Sequence, residues 1–250
     1  MQKFTYLLLV LVLVTLAFSL SRRKDSFVEA YAGGQKDVRA ERYELAKRQF
    51  PTADYDEPDL GDPEKQPARK EKQKRYNNFK VVHTKPQPWQ AEILVTSDSL
   101  FDFPALPVAQ SDLILTGVVG SAEAHLSENK KNVFSEFTVA VDTVLKGTHQ
   151  GLLQGSVLTV DRIGGFVKYP NGQKILFRFA GANMPKTGAR YLFFINSKNR
   201  QDYNILTAYE LSASGILPLD LSSQFLMLEG ISETEILQKV RNLLSETRSN

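Results

Sequence analysis

The apolar positions of this chain change rhythm as it runs. From Phe4 to Leu20 they are continuous, 17 residues of mostly Leu and Val without a charge. A helix rises about 1.5 Å per residue, so the segment spans roughly 26 Å, near the short limit for crossing a hydrocarbon core. It is longer than the core of most cleavable signals, yet Ala17-Phe18-Ser19 supplies a small-x-small cleavage site. An uncleaved transmembrane anchor and a removed signal, within residues 1–24, therefore both stay open. Lys3 precedes the segment while Arg22, Arg23 and Lys24 follow it, and the positive-inside rule alone keeps the rest in the cytoplasm. Asp25, Glu29 and the extreme N-terminal position argue for export instead. The expectation is a single-pass anchor with its C-terminal part outside the cytoplasm, or a secreted or periplasmic chain after cleavage.

Between 25 and 109 the apolar rhythm fades. Val38, Leu45 and Phe50 are compatible with a short helix over 35–50, ended by Pro51. Thr52 to Lys80 is then a charged tract. It is acidic first (Asp54, Asp56, Glu57, Asp59, Asp62) and basic afterwards (Lys65, Arg69, Lys70, Lys72, Lys74, Arg75, Lys80). So few apolar residues do not offset the entropy of ordering, so the tract reads as a solvated, disordered linker. An anionic surface is the competing role for its basic run. Val81 to Pro107, with Pro86, Pro88, Pro104 and Pro107 around Trp89 and Phe101-Asp102-Phe103, reads as an extended strap.

From Gln110 to the end the pattern becomes β. Seven strands are predicted, over 112–119, 133–145, 157–163, 166–169, 174–179, 190–195 and 203–209. In the second, Val133, Phe137, Val139, Val141 and Leu145 share a face opposite Glu136, Thr138 and Asp142. Gly117 and Gly120 suggest bulges, and Pro170-Asn171-Gly172-Gln173 is a hairpin turn. Ser232 and Glu235 form a capping box before Ile236, Val240, Leu243 and Leu244, predicting a C-terminal helix over 232–246. With no βαβ alternation, the fold class is mainly β: a small antiparallel, OB-like barrel of about seven strands with a C-terminal helix.

Charge narrows the partners. The chain carries 31 Lys/Arg against 28 Asp/Glu, and the domain from Gln110 carries 14 against 13. Nucleic acid, which selects a concentrated basic face, is disfavoured. The complete absence of cysteine removes disulfides, thiolate metal sites and a Cys nucleophile. His83, His125 and His149 lie at no metal-ligand spacing, and Glu123–His125 is only a weak pair. Ser127-Glu128-Asn129-Lys130 and Lys186-Thr187-Gly188 match S-x-x-K and K-T-G, but the first falls in a hairpin loop and the S-D-N element is missing. Asp112, Glu136, Asp142 and Asp161 alternate onto expected solvent faces. The aromatics Phe166, Tyr169, Phe177, Phe179, Tyr191, Phe193 and Phe194 read as core. No catalytic, metal or cofactor-binding residue is assigned.

The run Phe137-Thr138-Val139-Ala140-Val141-Asp142-Thr143-Val144-Leu145-Lys146-Gly147, then Ser156 to Val160, then Gly188-Ala189-Arg190-Tyr191-Leu192-Phe193-Phe194, resembles exported domains of acidobacterial-type bacteria. More distantly it is similar to the netrin-like module of metalloproteinase inhibitors, which implies an OB-type barrel. Those inhibitors use an N-terminal cysteine, which this chain lacks, so the likeness extends to fold and not to that route of inhibition. The function expected is a non-enzymatic binding or structural module of the cell envelope. Its partners would be membrane lipid through the N-terminal helix and a protein or envelope polymer through the β domain. A regulator of an exported protease and an enzyme with an unrecognised site are the alternatives.

Overall fold

A computed structural model describes residues 50–56, 66–78, 89, 91–95, 101–147, 154–199 and 202–249. The apolar segment Phe4–Leu20, the helix expected over 35–50 apart from its last residue, Phe50, and His83 and His149 lie outside the described residues. No helix among those described is long and apolar enough to cross a membrane.

The structure is mainly β, as the alternation predicts. Its elements are β1 (Thr52–Asp54), α1 (Gln66–Arg75) with a 3-10 turn (Tyr76–Asn78), β2 (Glu92–Val95), β3 (Leu113–Leu126), β4 (Val133–Lys146), β5 (Val157–Ile163), β6 (Gly165–Lys168) and β7 (Lys174–Phe179). They continue with β8 (Arg190–Asn199), β9 (Asp202–Ser212), β10 (Gly215–Pro218), α2 (Ser223–Leu226) and α3 (Glu233–Ser249). All seven expected strands are present. The first is longer than predicted because β3 runs on through Ser121–Leu126 into the hairpin with β4.

Two sheets share this framework. The larger has the order β10-β9-β5-β4-β3-β8, and β9 also pairs with β8. Pairing therefore passes through β3, β4, β5, β9 and β8 and back to β3. Its thinnest join is between β5 and β9, where a single parallel bridge links Asp161 to Asn204. The smaller sheet is β1-β6-β7-β2. Its centre is the β6–β7 hairpin around the predicted turn, where Tyr169 N–H donates to Gln173 O and Gly172 takes φ +80°. β1 and β2 add in parallel to its two edges. β5 and β6 are almost one strand, which changes sheets at Gly164 and Gly165.

Strands that read as continuous apolar runs are buried on both faces. Leu113, Leu115, Tyr191, Phe193 and Ile195 point into one core, which also takes Phe137, Val139, Val141 and Val160. The intervening Ile114, Leu192 and Phe194 point into a second, shared with Phe225, Ile236 and Val240. Successive side chains of a strand face opposite ways, so a run such as Leu113-Ile114-Leu115 serves both. The second core is closed by α3, whose first turn is capped where Ser232 Oγ accepts the Glu235 N–H at 3.2 Å. Phe101 and Phe103 of the strap pack on Phe225, ring centroids 5.5 and 5.9 Å apart, and Tyr209 donates to Ala105 O.

Gly117 shows why β3 carries glycine. A Cβ there would stand 2.6 Å from both Ala140 O and Val139 Cγ1 on β4, beside one of the register shifts of the β3–β4 ladder. The bulge expected from the sequence is present, and it needs that close approach.

Candidate functional site

The basic run read as a solvated linker contains α1, and α1 is docked on the sheet. Its sequence, Gln-Pro-Ala-Arg-Lys-Glu-Lys-Gln-Lys-Arg, offers almost no apolar face. Arg69, Lys72 and Arg75 instead recur at three-residue spacing and so lie on one side of the helix. Arg69 and Lys72 are 5% and 2% exposed, values rarely seen for these side chains unless they are paired.

Their partners come from strands far away in sequence. Lys72 Nζ donates to Glu136 Oε1 on β4 at 2.8 Å and lies 3.5 Å from Asp161 Oδ2 on β5. Arg69 donates through Nε and Nη2 to Glu136 Oε2, each at 3.3 Å, and through Nη2 to Glu123 Oε2 on β3 at 3.4 Å. Arg75 Nη2 donates to both Asp161 oxygens at 2.7 Å, and its Nη1 donates to Asp202 Oδ1 on β9. Tyr76 follows, stacking on Phe134 at 4.6 Å and donating its hydroxyl to Asp161 Oδ1 at 3.0 Å. Asn204 Nδ2 completes the shell around Asp161.

This corrects the reading of the carboxylates. Glu136 is 7% exposed and Asp161 is fully buried, so neither stands on a solvent face. Alternation did place Glu136 opposite the core of Phe137 and Val139. What it does not reveal is that α1 covers that second face. Asp112 is exposed as expected, and Asp142 is half-buried in a pair with Arg190 at 2.7 Å.

Electrostatics differ across the cluster. Burial works to raise the Glu136 carboxyl, but the nearby His125 and the Lys72 charge outweigh it and hold the group well below the usual range. Complete burial raises Asp161, against the pull of Lys72, Arg75 and Asn204. His125 Nε2 lies 3.5 Å from Glu136 Oε2 and 3.7 Å from Glu123 Oε2, so the weak pair foreseen with Glu123 forms part of this network. No three His, Asp or Glu among the described residues are arranged to hold a metal ion.

The S-x-x-K match separates in space. Ser127 Oγ donates to Asn129 Oδ1 and accepts the Lys131 and Asn132 N–H groups, organising the hairpin loop. Lys130 Nζ turns instead to Tyr55 O at 2.7 Å and to the Tyr55 ring. Lys186 of the K-T-G match pairs with Glu210. The expected core aromatics are buried, apart from Phe166, which is half-buried with Lys174 Nζ 4.2 Å from its ring centre.

Beside the cluster runs an open groove of about 1040 Å³. α1 forms one wall with Lys70 and Lys74, β1 contributes Asp54, and the outer part of β3 contributes Ala122 to Leu126. No protein-family model matches the chain, and no curated protein matches it. The site must be read from its own chemistry.

Proposed function

We propose that this chain is a non-enzymatic binding module of the cell envelope, tethered by its N-terminal apolar segment and facing outside the cytoplasm. The observation that carries this reading is the groove between α1, β1 and β3. Concave surfaces where elements distant in sequence meet are where ligands bind most often. The acids beside it support a scaffold role: Glu136, Asp161 and Asp202 are each engaged by a cation of α1. A general acid or base needs a group within reach of substrate and free to exchange its proton. These carboxylates are committed to holding a helix.

We further propose that the pairing of β3, β4, β5, β9 and β8 is an OB-like barrel, which the return of the ladder to β3 supports. On this reading the smaller sheet is an elaboration that begins where β5 leaves the barrel at Gly164.

Two measurements test the function. Protease added to intact cells and to spheroplasts should digest the β domain only from outside the cytoplasmic membrane, and the mass of the mature chain distinguishes anchor from cleaved signal. Crosslinking in cells, with pull-down of isolated envelope fractions, should recover a protein or polymer partner. Failure of the protein to retain any envelope component or crosslink to any partner refutes the binding module. A domain protected inside the cytoplasm refutes the placement.

A further inference from the structure

We propose that Asn171 is a site of spontaneous covalent modification, losing its side-chain amide through a succinimide formed with the Gly172 nitrogen, and that opening of the β6–β7 turn sets the rate. The reaction needs neither a ligand nor a partner, so the site is independent of what the groove binds. Asn171-Gly172 is the one place in the chain where asparagine precedes glycine. Any other residue after Asn171 would put a Cβ beside the attacking nitrogen.

The turn presents both reacting groups. Pro170, Asn171 and Gly172 are exposed, and a Cβ on Gly172 would meet nothing within 4 Å. Asn171 Oδ1 accepts the Gln173 N–H at 3.0 Å, a bond that bends the side chain back over the peptide that follows it. The same bond puts a donor on the oxygen that takes up negative charge when its carbon is attacked. Nδ2, the leaving nitrogen, makes no hydrogen bond with the described residues.

One bond opposes the reaction. Gly172 N–H donates to Tyr169 O at 2.9 Å and closes the turn, with Gly172 at φ +80°. The nitrogen attacks only after that bond parts and its proton passes to a solvent base. It then bonds to Asn171 Cγ, the Cγ–Nδ2 bond breaks, and ammonia leaves with a proton taken from water. Water opens the ring at either carbonyl and leaves aspartate or isoaspartate, with no change of oxidation state.

The two products differ in what they do to the hairpin. Aspartate keeps an Oδ atom for the Gln173 N–H. Isoaspartate routes the main chain through its side chain and adds a methylene inside the loop that Tyr169 N–H and Gln173 O close at 2.8 Å. The displacement reaches Tyr169, whose ring stacks on Tyr55 with centroids 5.2 Å apart, and Lys168, whose carbonyl accepts the Tyr55 N–H at 2.9 Å. Isoaspartate at 171 therefore loosens the end of β1.

The test ages the full-length chain in detergent at mildly alkaline pH, then follows its tryptic peptide from Tyr169 to Lys174 by mass spectrometry, beside the same peptide made synthetically. Electron-transfer fragmentation separates Asn171 from Gln173 and aspartate from isoaspartate. Asn171 should convert before every other asparagine of the chain, yet at least tenfold more slowly than in the free peptide. Urea below the unfolding transition should narrow that difference, because it favours local opening. Asn171 left intact while the peptide converts completely, or converting no faster than the other asparagines, overturns the site. A rate in the folded chain equal to that of the peptide overturns the control by turn opening. Amide exchange at Tyr55 and Tyr169 should rise about tenfold in the aged chain with the β3–β4 ladder unchanged, while Asn171→Asp should match the unaged wild type. Equal exchange in aged and unaged chains overturns the effect on β1.

Discussion

At the scale of single residues, two positions report on backbone sterics and on charge. A Cβ on Gly117 would meet a backbone carbonyl and Val139 at 2.6 Å, and a backbone atom does not swing aside as a side-chain end does. Gly117→Ala should therefore lower stability by about 1–3 kcal/mol, the usual range for overpacking, measured by urea denaturation. Glu136 tests the charge. Its folded carboxyl is depressed, so its contribution is complete above the ordinary glutamate value of about 4.5. That contribution shrinks as pH falls below this value and is gone once pH passes below the folded one. The stability gap between wild type and Glu136→Gln should be widest near neutral pH and narrow on acidification. Asp161 titrates in both proteins and drops out of the comparison to first order. A gap that stays constant from pH 7 to pH 3 refutes the depressed carboxyl.

At the scale of elements, the strands were legible and the docked helix was not. Alternation in Val133–Leu145 located β4, and Ser232 with Glu235 located the start of α3. α1 carries the opposite signature, a run of cations with almost no apolar periodicity, and composition alone makes that a solvated segment. The missing information is tertiary: Arg69, Lys72 and Arg75 share a helix side only if a helix forms, and they are buried only if Glu136, Asp161 and Asp202 converge opposite them. The short strands β1, β2 and β10 escaped for a related reason, since three or four residues give too few positions for a period to show; β6 is as short and was legible only through the Pro170–Gln173 turn that follows it. Because α1 is held mainly by charge, Arg69→Ala combined with Lys72→Ala should release it. We expect amide exchange over 66–78 to accelerate at least tenfold while the β3–β4 ladder keeps its protection. High salt should accelerate wild-type exchange less, because buried pairs are screened less than exposed ones. Unchanged protection over 66–78 in the double variant shows that Tyr76 and its stacking on Phe134 hold the segment instead.

At the scale of the whole molecule, α1 lies where the larger sheet is thinnest. β5 and β9 share one bridge, Asp161 to Asn204, whereas every other neighbouring pair around the ring is joined by a ladder of several residues. Arg75 spans that seam by holding Asp161 of β5 and Asp202 of β9 at once. The sequence shows the strands but not this closure, because residues on β5, β9 and α1 meet only after folding. If the clamp matters, Arg75→Met should raise amide exchange at the end of β5 and the start of β9 while leaving β3 and β4 unchanged. Lys72 and Arg69 still dock α1 in that variant, so the effect isolates the seam from the loss of the helix. Removing one partner of a buried pair typically costs about 3–5 kcal/mol. The loss here should fall below that range, because Asp161 keeps Lys72, Tyr76 and Asn204. Exchange that rises uniformly over all five strands would mean that Arg75 supports the domain as a whole. Exchange that rises at β5 and β9 alone would show that a helix with almost no apolar face closes the larger sheet.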